Sequence, residues 1–232
     1  MGSRKSGYKS KRLGNKIDIL RSTKFPDVLV VTPLLEFDFV SKDTRKTIKR
    51  NKLKYLWISS QGNHNIPTNA QEGLLWAKEN VRPMPKYYIM IDNDIVLGRS
   101  MLDRLFKSLE KSEDDIGYAY AGFEYKGTTN MKFPADPFEP ERLMKANYIS
   151  SNSMFKIDVV DEVGLVTNDK YKRLLDWAFL LKCLAKGYHG LNVPNARFVA
   201  VSEPGDVSSG SHNDYWTKHA KVYKDFVQPM II

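Results

Sequence analysis

Two carboxylates separated by one residue, Asp92-Asn93-Asp94, follow the apolar run Tyr87-Tyr88-Ile89-Met90-Ile91. In extended backbone, residues i and i+2 point the same way, and a turn at the end of a strand can bring both side chains toward one ion. Hard oxygen ligands suit Mg2+ or Mn2+, and those ions bind diphosphates. The bland reading of the triplet is a strand-to-loop turn, which Asp and Asn both favour. On these three residues alone, both readings stay open.

The surrounding pattern says which elements would hold such a site. Val28 to Val31, Tyr55 to Ile58 and Tyr87 to Ile91 are short continuous apolar runs, the pattern of strands buried on both faces. Between and after them, Phe39 to Leu53, Gln71 to Asn80 and Ser100 to Lys111 read as helices; Leu102, Leu105, Phe106 and Leu109 follow the 3.6-residue period. This alternation predicts an α/β fold, a single domain with a central mainly parallel sheet flanked by helices. Ligands of such sheets sit beyond the carboxyl ends of the strands. Three strands end there in polar clusters: Thr32-Pro33, Ser59 to Asn63, and Asp92 to Asp94. Further along, Ile116 to Tyr125, Ile149 to Ile157 and His189 to Val201 read as extended. Val159 to Val163, Leu175 to Lys186 and Tyr215 to Phe226 read as helices, and residues 126–145, with three prolines, as a long loop.

Composition sets the class. The chain has 232 residues, 42% hydrophobic, 27% charged and 12% aromatic, which excludes a mainly disordered or collagen-like chain. A lone cysteine, Cys183, can neither close an internal disulfide nor build a multi-cysteine metal site. A reducing, cytoplasmic setting is the expectation. No apolar run reaches the roughly 18–20 residues of a membrane span, and no secretory signal is expected. The net charge of +9 is uneven: residues 1–25 carry eight Lys/Arg against Asp18 alone. They read as a flexible basic arm, with a short helix near Ile17 to Leu20. Lys42 to Lys54 adds seven Lys/Arg against Asp43. Such segments attract phosphate backbones or acidic lipid surfaces, or simply serve as solvated charge.

At the Asp-x-Asp segment the chain resembles GT-A-fold glycosyltransferases, especially family 2 of nucleotide-sugar enzymes. Tyr88-Ile-Met-Ile-Asp-Asn-Asp-Ile-Val-Leu97 is similar to their Asp-x-Asp strand, and Val28 to Pro33 to their first nucleotide-binding strand. Pro67-Thr-Asn-Ala-Gln-Glu-Gly-Leu74 resembles their Ala-Arg-Asn-x-Gly-Leu helix start. Ser150-Ser-Asn-Ser-Met-Phe155 with Val160-x-x-Val-Gly164 resembles the acceptor-side strand and the helix after it. Leu175-Asp176-Trp177 with Leu180-x-x-x-Leu-Ala-Lys-Gly-Tyr188 resembles the Glu-Asp-x-x-Leu helix. The resemblance spans roughly residues 27–226, within a domain of residues 26–232 whose nucleotide-sugar half runs to about 115 and whose acceptor half follows.

The resemblance implies a metal-dependent, inverting transfer of sugar from a nucleoside-diphosphate sugar to an acceptor hydroxyl. Asp92, Asp94 and a late histidine, His212, would hold Mn2+ or Mg2+; His219 and Glu203 are the other candidates for the third ligand. Thr32, Pro33, Ser59, Ser60, Asn69, Asp92 and Asn93 would line the donor. Ser151, Asn152 and Trp177 would meet the acceptor, and Asp176 would be the catalytic base or else an N-cap of its helix. The family usually has acidic residues after the second strand, where this chain has Ser59-Ser60. The acceptor is open among a glycan, a lipid-linked sugar, a protein and a modified base in DNA, the last served by nucleic-acid contact through residues 1–25. A nucleotidyltransferase fits poorly, since Pro33-Leu-Leu-Glu-Phe lacks a Gly-rich loop. A non-catalytic nucleic-acid-binding protein is the alternative from another class.

Overall fold

The structure, a computed structural model, describes residues 8–9, 14–127, 130–202 and 212–231. The first of the expected strands to appear is β3 (Val28–Leu34), buried along its whole length. Parallel partners lie on both its sides, β4 (Tyr55–Gln61) and β5 (Tyr87–Met90). Alternate residues of these three strands enter different cores. Val28, Val30, Tyr55, Trp57 and Ile89 pack with Ile48, Leu102 and Leu105 of α1 (Lys42–Ile48) and α3 (Met101–Leu109). Leu29, Val31, Leu56, Ile58 and Tyr88 face the opposite way, into the core that contains α2 (Ile66–Asn80), α5 (Ile157–Val163) and α6 (Leu175–Ala185). The unbroken apolar runs therefore cover two helical layers with one sheet.

The sheet is mixed, which corrects the expected mainly parallel arrangement. Its order is β1 (Tyr8–Lys9), β2 (Lys16–Ser22), β4, β3, β5, β9 (Met154–Lys156), β7 (Ile116–Gly127), β10 (His189–Ser202) and β6 (Ile95–Leu97), with β8 (Met131–Phe133) beside β7. Besides the two pairings of β3, only β7 with β10 (His189–Ser202) is parallel among the described residues. β9 (Met154–Lys156) wedges antiparallel between β5 and β7, and β6 (Ile95–Leu97) runs antiparallel along β10. The chain thus leaves β5 in the middle of the sheet and re-enters as β6 at its far edge. Asp92-Asn93-Asp94 is the link between those two places.

Part of the basic arm is also sheet. Residues Lys16–Ser22 form β2, antiparallel to β4, and Tyr8–Lys9 form β1 beside it. Ile17 is fully buried, and this replaces the expected helix near Ile17 to Leu20. Other elements differ in extent: of Ile149 to Ile157 only Met154–Lys156 is strand, and α2 begins at Ile66, ahead of Gln71. α1 is shorter than Phe39 to Leu53 because Ser41 caps it, its hydroxyl accepting from the Thr44 amide at 3.1 Å. The expected loop 126–145 contains β8 and α4 (Pro140–Lys145), α4 carrying its proline in the first turn, where no amide donor is needed. α7 (His212–Val222) meets the start of α6, where the ring of His219 stacks on Trp177. No helix among the described residues is long and apolar enough to cross a membrane.

Candidate active site

Asp92 emerges where β5 ends, and its position is fixed by a side chain from the other half of the chain. Asn152 donates its amide to Asp92 Oδ2 at 3.0 Å, and its Oδ1 accepts from the Asp92 backbone N–H at 3.1 Å. The Asn152 side chain is itself held by Ser150 Oγ, 3.3 Å from its Nδ2. Burial pushes the Asp92 carboxyl above its ordinary pKa, against the Asn152 hydrogen bond, which favours the charged form. Asn93 acts through its backbone: its carbonyl accepts from the Ser41 amide at 3.0 Å and from Thr44 Oγ1 at 2.9 Å. The cap of α1 thereby grips the loop that carries both acids.

Asp176 lies in the first turn of α6, which Leu174 caps, so it is not the N-cap. Its Oδ1 accepts from the Trp177 amide at 2.8 Å and its Oδ2 from Asn147 Nδ2 at 3.0 Å. Burial nevertheless raises its pKa to about 6, with the negative charge of Asp92 adding to the rise. The three acids form one electrostatic neighbourhood. Tyr125, at the end of β7, has its hydroxyl pushed up to about 12 by burial, then by Asp176, Asp92 and Asp94 together. Tyr215 of α7 is raised by burial and then by Asp176. Just ahead of α6, Arg173 adopts φ +78, a costly conformation for a residue with a Cβ. Its mostly buried guanidinium reaches Asp214 at 3.7 Å and lies 6.0 Å from the Tyr215 ring, tying α7 to the segment that presents Asp176.

The remaining expected site residues divide clearly. Thr32, Ser59, Ser60 and Asn69 are buried. Thr32 Oγ1 accepts from Trp57 Nε1 at 3.0 Å, and Ser60 Oγ from Asn15 Nδ2 at 3.1 Å. The Asn69 amide donates to the carbonyls of Leu34, Gly62 and His64, while its Oδ1 accepts from Asn15. Thr32, Ser60 and Asn69 thus make these side-chain hydrogen bonds within the strand ends; Pro33 is likewise buried within β3. A Cβ at Gly62 would sit 2.3 Å from Asn15 Oδ1, so a larger residue there would displace the Asn15 side chain that bonds Ser60 and Asn69. Replacing Asn69 with alanine should therefore lower stability by about 2–4 kcal/mol, since it strands several buried polar groups. In a thermal melt that is a drop of roughly 5–15 °C.

On the acceptor side, Ser151 is partly exposed, whereas Asn152 is buried and committed to Asp92. Trp177 is fully buried, its Nε1 donating to the Leu143 carbonyl at 2.6 Å and its ring stacked on His219 at 4.6 Å. It is a packing residue and offers no face to a sugar. His219 is occupied in the same way, with Nε2 at 3.0 Å from the Lys145 carbonyl. The side chain of His212 and the whole of Glu203 lie outside the described residues. Among the described residues no group of three or more His, Cys, Asp or Glu could hold a metal. Two carboxylates nevertheless suffice for a Mg2+-type ion that takes its other ligands from substrate phosphates and water. The crowding of negative charge felt by Tyr125 is what such an ion would relieve.

Asn147, Tyr125 and Tyr215 were not visible as site residues in the sequence. The one available signal was the polar run Asn147 to Ser153, in which two asparagines five residues apart each clamp a different acid. Asn147 donates to the charged form of Asp176, so its loss should raise that group's pKa further. For Asn147→Ala, the acidic limb of a kcat/KM-pH profile should move to higher pH, with activity above pH 8 largely retained.

No protein-family model matches the chain, and no curated protein matches its sequence. Solved structures do share its fold. The S. aureus TarS 1-349 crystal structure in complex with UDP-GlcNAc aligns with TM-score 0.55 over 84% of this chain and 65% of that one, at 10% identity. TarS 1-349 in complex with UDP aligns with TM-score 0.53 over 85% and 64%, at 9% identity. TarS 1-349 without a named ligand gives 0.51 over 75% and 60%, at 11% identity. The chain therefore spans under two thirds of the length of these TarS chains, and it shares their fold.

Proposed function

We propose that this protein is a glycosyltransferase that moves a sugar from a nucleoside-diphosphate sugar, with UDP-GlcNAc the first to try, to an acceptor hydroxyl. The observation that carries the reading is that the negative charges of Asp92, Asp94 and Asp176 all act on Tyr125, near the strand ends where an α/β sheet receives ligands. The TarS complexes with UDP and UDP-GlcNAc support the donor class.

Asp94, together with Asp92, whose carboxylate Asn152 fixes, would hold Mn2+ or Mg2+, which when bound neutralises charge on the departing nucleoside diphosphate. The chain's own groups do the rest. Asp176, with a pKa of about 6, is deprotonated at neutral pH and still basic enough to take a proton. It accepts the acceptor's hydroxyl proton as that oxygen attacks the anomeric carbon. The bond from that carbon to the diphosphate oxygen breaks and the oxygen keeps the electron pair. Direct displacement of this kind inverts the anomeric centre. The hydrogen bonds from Asn147 and the Trp177 amide keep the carboxylate aimed while it changes charge.

A thermal-shift screen of nucleoside-diphosphate sugars, with and without Mn2+, tests the reading, because a ligand that binds the native state raises its melting temperature. At least one nucleoside-diphosphate sugar should raise the midpoint in Mn2+ and less so in EDTA. A flat response to every donor in both conditions refutes the proposal.

A further inference from the structure

We propose that the outer face of α1, together with the loop before it, binds single-stranded nucleic acid. The inference stands apart from the donor-site reading and needs no catalysis. Lys42, Lys46, Lys49 and Arg50 are exposed and recur at i, i+4, i+7 and i+8, so they share one face of the helix and of the turn that continues it. The opposite face, Thr44, Thr47 and Ile48, is buried. The cationic row is about 12 Å long at 1.5 Å per residue. It begins beside the Ser41-Thr44 grip on Asn93, at the mouth of the candidate active site.

Two rings stand immediately before this row. Phe37 is 89% exposed and Phe39 76%, in a loop held rigid by Gln61, whose amide donates to the carbonyls of Leu35, Glu36 and Asp38. Exposed rings on a braced loop next to a row of cations are what an unpaired strand requires: ring faces for its bases and ammonium groups for its phosphates. A bilayer suits the loop poorly. Sinking Phe37 and Phe39 into lipid would carry the intervening Asp38 and the adjoining Glu36 with them, whereas base stacking needs only the ring faces. This surface is distinct from residues 1–25, part of which forms β2 between β1 and β4.

Fluorescence anisotropy with a fluorescein-labelled thymidine 20-mer tests this on the full chain. If four cations each displace a counterion from single-stranded DNA, affinity should fall about 50-fold between 50 and 200 mM NaCl. Lys42→Glu/Lys46→Glu/Lys49→Glu should weaken binding at least tenfold at 50 mM. Lys107→Glu/Lys111→Glu/Lys186→Glu, the same charge change elsewhere, should weaken it less than threefold. Phe37→Ala/Phe39→Ala should weaken it severalfold and leave the salt slope unchanged. Circular dichroism melts of each variant confirm folding. No binding at 50 mM, equal losses in the two charge variants, unchanged binding in the double Phe variant, or tighter binding to phosphatidylglycerol vesicles than to the oligonucleotide each overturn the proposal.

Discussion

Asp176→Asn should lower turnover by about two to four orders of magnitude, the range that positioned general bases contribute. The substitution keeps size and shape, and the new side-chain oxygen can still accept from the Trp177 amide, as Asp176 does now. Binding of the nucleoside diphosphate, measured by calorimetry, should stay within about twofold, because the role assigned to Asp176 concerns the acceptor's proton. In the wild-type enzyme, kcat/KM should fall as pH drops through about 6, where Asp176 takes up a proton and can no longer accept one. That acidic limb should be absent from the residual activity of the variant. Turnover like that of wild type would reject the assignment of the base.

The second large effect is expected at Asp94. Asp94→Asn removes a full negative charge from the end of the Asp-x-Asp link and leaves Asp92 clamped by Asn152. Affinity for UDP in Mn2+ should drop at least about tenfold, and the remaining binding should become insensitive to EDTA. Turnover should fall with it. The contrast with Asp176 is the informative part: one variant loses the donor, the other keeps the donor and loses the chemistry.

Much of the frame was legible because its signals are local. The unbroken apolar runs at Val28, Tyr55 and Tyr87 announced strands covered on both sides, and the three helices among them followed from periodicity. The mixed character of the sheet was not legible. The departure of β5 through Asp92-Asn93-Asp94 to pair as β6 with β10 is a contact across about a hundred residues, and nothing in Ile95-Val96-Leu97 names its partner. β2 was hidden because its cations outweigh the single buried Ile17 in any reading by composition.

The site shows the same division. Acidic side chains on a strand end can be picked out by type and spacing. What each polar neighbour does depends on partners distant in sequence. Asn69 and Asn152 looked equally suited to contact a substrate. Asn69 ties the end of β3 to the carbonyls of Gly62 and His64, and Asn152 holds Asp92. By sequence Trp177 suited stacking on a sugar and packing equally; His219, from a helix more than forty residues on, covers its ring.

Crystals soaked with MnCl2 and UDP, with diffraction recorded at a wavelength where manganese scatters anomalously, test the central claim most directly. The expected result is one anomalous peak within bonding distance of an Asp94 carboxylate oxygen and of the UDP diphosphate, with the Asn152 clamp on Asp92 still in place. UDP ordered at the strand ends with no anomalous peak at Asp94, or manganese bound only elsewhere on the chain, would contradict it.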